Sequence, residues 1–278
     1  MKSALLRERK HVSSGGKDLV ATGRTVETQE EETEHLQDVL KKLGLTKEEA
    51  DDLYCLGRMR PTWRGLMHRI AFVASPIWAS YLLYLAKSNS LVLGVCLFLF
   101  SLVGLFGVSS SFHRNEWTVN QERFMGKLDY AFIFCVVGFT AAPSYVALLP
   151  DLGWYVVGLI AATVVAGVFL VFFDCRRTIG RHSLVFVYIC QAFLHLLPLF
   201  VSLSDGRATV FEQFTSFERM MLYTMGAMYL VGSQIFAHRW PDPIPSKFGY
   251  HEIWHMLILL AASCGYVMNA SGLLRVSV

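Results

Sequence analysis

Beyond residue 66 the chain alternates long apolar runs with short polar gaps. The runs cover residues 67–86, 91–112, 128–149, 152–173, 183–203, 219–237 and 250–270. About 20 apolar residues at 1.5 Å rise cover a hydrocarbon core of roughly 30 Å, so each run predicts one membrane-crossing helix. Pro76, Pro143 and Pro198 fall within or near helix ends and predict kinks that packed neighbouring helices tolerate. The first 59 residues read differently. Residues 1–28 are rich in Ser, Gly, Thr, Lys and Arg without an apolar period, the pattern of a disordered arm. Within residues 29–59, Leu36, Val39, Leu40 and Leu43 recur at helical spacing up to Gly44, and Thr46-Lys47-Glu48-Glu49 fits a reciprocal helix cap. The expected architecture is all-α: a seven-transmembrane helix bundle over residues 60–278 behind a disordered arm and a pair of cytosolic amphipathic helices. Those helices are read as solvated, or as a contact for a cytosolic partner or the membrane surface.

Composition agrees with that pattern. Of 278 residues, 54% are hydrophobic and 17% charged, and the charge gathers in the first 69 residues and in the gaps between runs. The net charge is only +3 and the Lys and Arg residues form no nucleic-acid patch, so their use is as topology signals. Arg58, Arg60, Arg64, Arg114, Arg123, Lys127, Arg176, Arg177, Arg181, Arg239 and Lys247 fall on one side, and Lys87, Arg207, Arg219 and Arg275 on the other. The basic side is cytosolic by the positive-inside rule, which predicts a cytosolic N-terminus and a non-cytosolic C-terminus. The N-terminus shows no apolar core of a cleavable signal. Cys55, Cys96, Cys135, Cys175, Cys190 and Cys264 lie mostly inside apolar runs and form no CxxC pair, so neither a disulfide framework nor a thiolate metal knuckle is expected. Asn269-Ala270-Ser271 fits a glycosylation sequon close to the outer membrane face.

With this topology the second run ends at His113, the third begins near Asp129 and the seventh begins at His251, all at one depth near the cytosolic side. Ionisable groups at membrane depth cost at least a few kcal/mol unless paired, hydrated or coordinated, so several at one level predict a functional site. His251 and His255 are four residues apart, which puts both imidazoles on one helix face, a standard way to offer two ligands to one metal. Ser109 precedes His113 by the same spacing and faces the same interior one turn deeper. Three neutral imidazoles leave a fourth position for water, whose pKa zinc lowers toward ~7. Asp129 is then a carboxylate that holds and deprotonates the water, or else a direct ligand.

Other readings compete. An HxxxH pair alone also serves loops at a helix end, and it is the addition of His113, Asp129 and Ser109 that favours a metal. A b-type haem needs opposed ligands on different helices rather than a pair one turn apart. His251-Glu252-Ile253-Trp254-His255 fits HExxH, the zinc-protease pattern with Glu252 as general base, so an intramembrane metalloprotease stays open. His195 is read as a hydrogen-bonded packing residue, and His68 and His182 as helix-end residues contacting headgroups or loops.

Several segments together resemble one family. Ser109-Ser110-Ser111-Phe112-His113, Asp129-Tyr130 and His251-Glu252-Ile253-Trp254-His255 are joined by Arg64-Gly65-Leu66-Met67-His68, Pro241-Asp242-Pro243-Ile244-Pro245 and Phe248-Gly249-Tyr250. From about Arg60 to Asn269 the chain resembles the hemolysin III family, related to the progestin and adipoQ receptors, with Glu252 and the proline-rich approach closer to the bacterial-type branch. The resemblance implies a seven-helix bundle with zinc on His113, His251 and His255, Asp129 supporting the metal-bound water, and Ser109 beside it. It also implies a choice of roles, because wider relatives hydrolyse lipid amides, bacterial members were named for lysis, and the receptor branch senses ligands. The leading expectation is a zinc-dependent hydrolase of a ceramide-like lipid amide or ester. In it Asp129 is the base, Ser109 an oxyanion donor, and Glu252 either an acid or base or a helix-terminal carboxylate favoured by the dipole. The alternatives are a receptor or sensor with a structural zinc and a lytic pore former, the latter disfavoured because the helices offer no polar channel lining.

Overall fold

Apolar runs become helices, but the helices outrun them. In the computed structural model, residues 37, 38, 40–44, 50, 53–56, 58–149, 152–173, 175–196 and 210–277 are described, without the side chains of 175–182, 196, 210, 211 and 277. The long elements are α1 (Leu66–Val73), α2 (Ser75–Leu85), α3 (Asn89–Arg114), α4 (Val119–Phe139), α5 (Ala142–Leu148), α6 (Gly153–Phe172), α7 (Cys175–Phe193), α8 (Ser216–His238) and α9 (Tyr250–Ser277). Five stretches, with α4 and α5 counted together, are long and apolar enough to cross a membrane, and α1 with α2 makes a sixth if that bent pair is one span. The apolar part of α7, Ser183–Phe193, is shorter than a crossing. The remainder of the predicted fifth run, with Pro198, lies outside the described residues, as do Arg207, the arm at 1–28 and the Thr46 cap. α4 starts at Val119, well ahead of the apolar run at 128, because polar residues such as Gln121, Glu122 and Arg123 extend the helix beyond its apolar part. Hydrophobicity marks membrane depth and not the helix end.

Two breaks shape the bundle. Pro76 lacks the N–H that would continue the ladder, and α1 and α2 meet at 50°. The indole of Trp78 donates to the Ala71 carbonyl (3.2 Å), and the Tyr266 hydroxyl of α9 donates to the Trp78 carbonyl (3.0 Å). Between α4 and α5, ahead of Pro143, the Ser144 N–H and the Thr140 carbonyl would bond each other in a regular helix. Instead the Asn269 amide stands between them: Ser144 N and Oγ donate to Oδ1 (3.2 and 2.7 Å), and Nδ2 donates to Thr140 O (2.7 Å). Asn269 is fully buried, so the sequon, already poorly placed by its closeness to the membrane, is no acceptor in this structure. Its amide completes a broken helix and does not face a glycosylating enzyme.

α8 and α9 pack along their length. A Cβ on Gly232 would lie 2.7 Å from Trp254 Cζ3, so glycine lets the indole seat against α8. Near the other end of this pair, buried Glu218 completes a capping box with Thr215 and accepts from Ser271 Oγ (2.9 Å) and Arg275 Nη2 (2.8 Å).

The described residues fall into two compact units, one of residues 1–60 with 116–124 and the other of residues 61–115 with 125–278. In the first, Leu40, Ala50, Leu53 and Leu56 form a small core with Leu43, Cys55 and Val119. Gly44, with φ 61°, closes the first helical segment as expected from its αL tolerance. Buried Glu122 accepts the Tyr54 and Cys55 N–H groups at 2.6 and 2.8 Å. Arg58 and Arg60 stand over the Tyr54 ring.

Candidate metal centre

Three helices of the larger unit deliver the site. α3 carries Ser109 and His113 in its last two turns, α4 carries Asp129, and α9 opens with His251 and His255 one turn apart. The start of α9 is held in register by carboxylates. Asp242 accepts the Tyr250 N–H (3.0 Å) and Glu252 the Gly249 N–H (2.8 Å). The segment before α1 is stitched to the same place, with Thr62 N donating to Ser246 O (3.2 Å) and Trp63 N to Lys247 O (3.1 Å). α1 then leans on α3 at Gly65, whose φ is 69° and where a Cβ would lie 2.8 Å from His113 Cβ. A side chain there would be strained and obstructed, so glycine brings α1 against the end of α3.

One nitrogen from each of His113, His251 and His255 lies within 4.8 Å of the others. His113 Nε2 and His251 Nε2 are 3.2 Å apart. Two ligands of a tetrahedral ion with ~2.1 Å bonds stand about 3.4 Å apart, so this edge has the length a metal needs. The Asp129 carboxylate approaches the same nitrogen, Oδ2 standing 3.8 Å from His113 Nε2. Ser109 is buried beside the Asp129 carboxylate and interacts with it, although its Oγ reaches no partner in full hydrogen-bond geometry. Six buried side-chain atoms lack a hydrogen-bond partner among the described residues, and four of them belong here: Ser109 Oγ, Asp129 Oδ1 and both ring nitrogens of His68. Buried polar atoms are ordinarily paired, so their concentration marks a place where polar capacity is held for a ligand. The donor set fits a metal: three imidazoles suit zinc, copper, iron or nickel.

A family model described as "Haemolysin-III related" matches residues 56–266. The chain belongs to the haemolysin-III-related family. The match spans every residue of the histidine cluster together with Ser109, Asp129 and Glu252. With several long apolar helices, this member of the family is a multi-pass membrane protein.

Sequence reasoning had joined His113, His251, His255, Asp129 and Ser109, and the structure brings these five together. Glu252 has different neighbours. It is 1% exposed, is ion-paired with Arg64 Nε, and has Arg64 Nη2 at 3.5 Å from its second oxygen. Arg64 had been counted as a topology charge and as part of the Arg64–His68 segment of the resemblance, with no role at the site. The larger miss is His68, expected at headgroups or loops. It is buried with its ring stacked on His255 at 4.1 Å. A signal existed, since His68 opens an apolar run just as His251 does. His195 is the packing residue expected, with Nε2 2.7 Å from Val137 O and Nδ1 3.1 Å from the Tyr145 hydroxyl. The side chain of His182 lies outside the described residues.

An apolar cavity of about 220 Å³ adjoins the cluster, walled by α4, α7 and α8 with Trp254 of α9. Ile133 lies one turn beyond Asp129, and the Phe236 ring, also in the wall, is 5.6 Å from that of His251. Lining residues Phe193, Tyr223 and Leu230 are half-exposed on the bundle's apolar flank.

Proposed function

We propose that this protein is a zinc-dependent hydrolase of a lipid amide or ester, built on seven crossings with a cytosolic N-terminus. The observation that carries the reading is the unpaired Asp129 carboxylate oxygen and Ser109 hydroxyl beside three convergent imidazoles. His113, His251 and His255 would hold the zinc. When bound, zinc supplies Lewis acidity that polarises a carbonyl and acidifies water. Asp129 accepts the proton of the attacking water and returns it to the departing amine or alcohol, so the carboxylate is regenerated in each turnover. Ser109 Oγ donates to the carbonyl oxygen as negative charge develops there. The adjoining apolar cavity takes the acyl chain, and its half-exposed flank between α7 and α8 gives sideways entry from the bilayer. Glu252, engaged by Arg64 and the Gly249 N–H, holds the ligand-bearing turn of α9 and does not handle protons.

The test is hydrolysis of acylated sphingoid and glycerol lipids by purified protein of known metal content. One zinc per chain with turnover is expected, and Asp129→Asn should keep the zinc and lose at least about a hundredfold in rate, the usual worth of an acid–base group. Asp129→Asn turning over like wild type sinks the assignment of the base. Zinc near one with no hydrolysis across the panel moves the weight to a receptor. One observation favours that second reading: the described residues up to Arg60 form, with 116–124, a compact unit of their own, suited to coupling. Deleting residues 1–59 should then abolish signalling with metal retained, whereas a hydrolase keeps its turnover.

A further inference from the structure

His68 belongs to none of the roles above. It is 1% exposed, its ring lies flat on that of His255 with planes 7° apart and centroids 4.1 Å apart, and Phe106 packs at 5.2 Å. Neither ring nitrogen has a hydrogen-bond partner among the described residues, and the main chain of His255 runs alongside without reaching hydrogen-bond geometry. A neutral imidazole offers one N–H donor and one acceptor. Phenylalanine would fill the same space and stack as well, without two unpaired buried polar atoms. The choice of histidine therefore asks for a polar partner.

An ion on the three-histidine cluster would not be that partner, because an imidazole ligates through a lone pair in its ring plane and the stacked rings of His68 and His255, 7° from parallel, would not converge on one atom. Nor does a second ion fit, because the one group of three metal-binding side chains among the described residues is His113, His251 and His255. The charged side chain nearby, Arg64, is engaged by Glu252, so the surroundings call for a neutral hydrogen-bonding group. We propose that His68 is a specificity-determining residue that hydrogen-bonds a hydroxyl of the lipid, next to the carbonyl at the histidine cluster. The ligand class rests on the hydrolase reading above. A ligand with such a group pairs one of the ring nitrogens, and one without it leaves both unpaired in an apolar setting. Sites of this kind discriminate strongly against the analogue lacking the polar group.

The full chain, zinc-loaded in lipid nanodiscs, is titrated with two probes: an N-octanoyl 2-amino-1,3-diol with a long alkyl tail, and the matched N-octanoyl alkylamine without hydroxyls. Wild type should bind the diol at least about tenfold tighter. His68→Phe, which keeps size and stacking, should bring the ratio near one, and His68→Gln, which keeps a donor and an acceptor, should retain part of it. Partitioning of the probes into the bilayer cancels when variants are compared. Zinc content and the unfolding midpoint report whether His68→Phe is folded, and His68→Leu replaces it if it is not. A ratio unchanged in His68→Phe, equal affinities in wild type, or no wild-type binding of either probe overturns the assignment. Hydrolysis of the same probes separates the two readings. Selective binding without turnover sinks the hydrolase and keeps His68, whereas turnover of both probes at one kcat/KM in wild type and His68→Phe does the reverse.

Discussion

Glu252 stands in the position of the HExxH pattern where a zinc protease keeps its general base, and its neighbours make a different demand on it. Its carboxylate and the Arg64 guanidinium are 1% and 3% exposed, and Glu252 also accepts the Gly249 N–H. Glu252→Gln keeps an acceptor for that N–H, changes volume little and removes the charge. The cost is then dominated by a buried guanidinium without its counter-ion, on the order of 3–5 kcal/mol. Because Glu252 flanks His251 and lies within a turn of His255, loosening this end of α9 should lower metal affinity as well. Arg64→Met placed beside Glu252→Gln removes the orphaned charge and should recover much of the loss. The double-mutant coupling should exceed about 2 kcal/mol. Denaturant unfolding of the four proteins in detergent, with metal content measured in parallel, reads both effects. A general base behaves otherwise: Glu252→Gln that unfolds like wild type, carries full metal and yet turns nothing over would refute the structural role argued for this residue.

Two further outcomes follow from the geometry. Alanine at His113, His251 or His255 should each bring bound zinc close to zero by elemental analysis, while His195→Ala, removed from the cluster, should keep it; equal zinc in His255→Ala and wild type excludes the trio as the ligand set. Asn269→Leu should orphan the Thr140 carbonyl and the Ser144 N–H, at about 1–3 kcal/mol for each group. Glycosidase treatment of wild type expressed in a glycosylating host should leave its mobility unchanged, and a shift would place Asn269 at the surface.

What the sequence made legible was local. The four-residue spacing of His251 and His255, and of Ser109 and His113, fixes a shared helix face because the 3.6-residue period is a property of the backbone alone. Alternation of crossings carried the argument further, bringing the end of one run and the starts of two others to one depth and so joining His113 to Asp129 and His251. Helix ends were not legible, since Gln121, Glu122 and Arg123 sustain a helix as well as apolar residues do. Contacts that depend on tertiary packing were not legible either. Arg64 meets Glu252 across 188 residues of sequence, and nothing local in either segment names the other. His68 reaches His255 because α1 is a short helix set at an angle to α2 and pressed onto α3 at Gly65, a geometry that hydropathy does not encode.

The distribution of unpaired polar atoms joins these strands. A bundle of apolar helices pairs its few interior polar groups carefully: Asn269 mends the break before Pro143, Glu218 answers Arg275, and His195 is hydrogen-bonded at both ring nitrogens. A chain that closes such small gaps, yet gathers four of the six unpaired buried side-chain atoms among its described residues at Ser109, Asp129 and His68 around three imidazoles, relaxes its own rule chiefly in one neighbourhood. Such violations of local consistency are expected where structure is held ready for a ligand, with the surrounding packing supplying the stability. The arrangement also explains why Glu252 is so firmly held. The turn of α9 that carries His251 and His255 is capped by Glu252 and Asp242 and tied through Arg64 to the start of α1, so one ion pair orients both the histidine cluster and the His68 ring stacked on it.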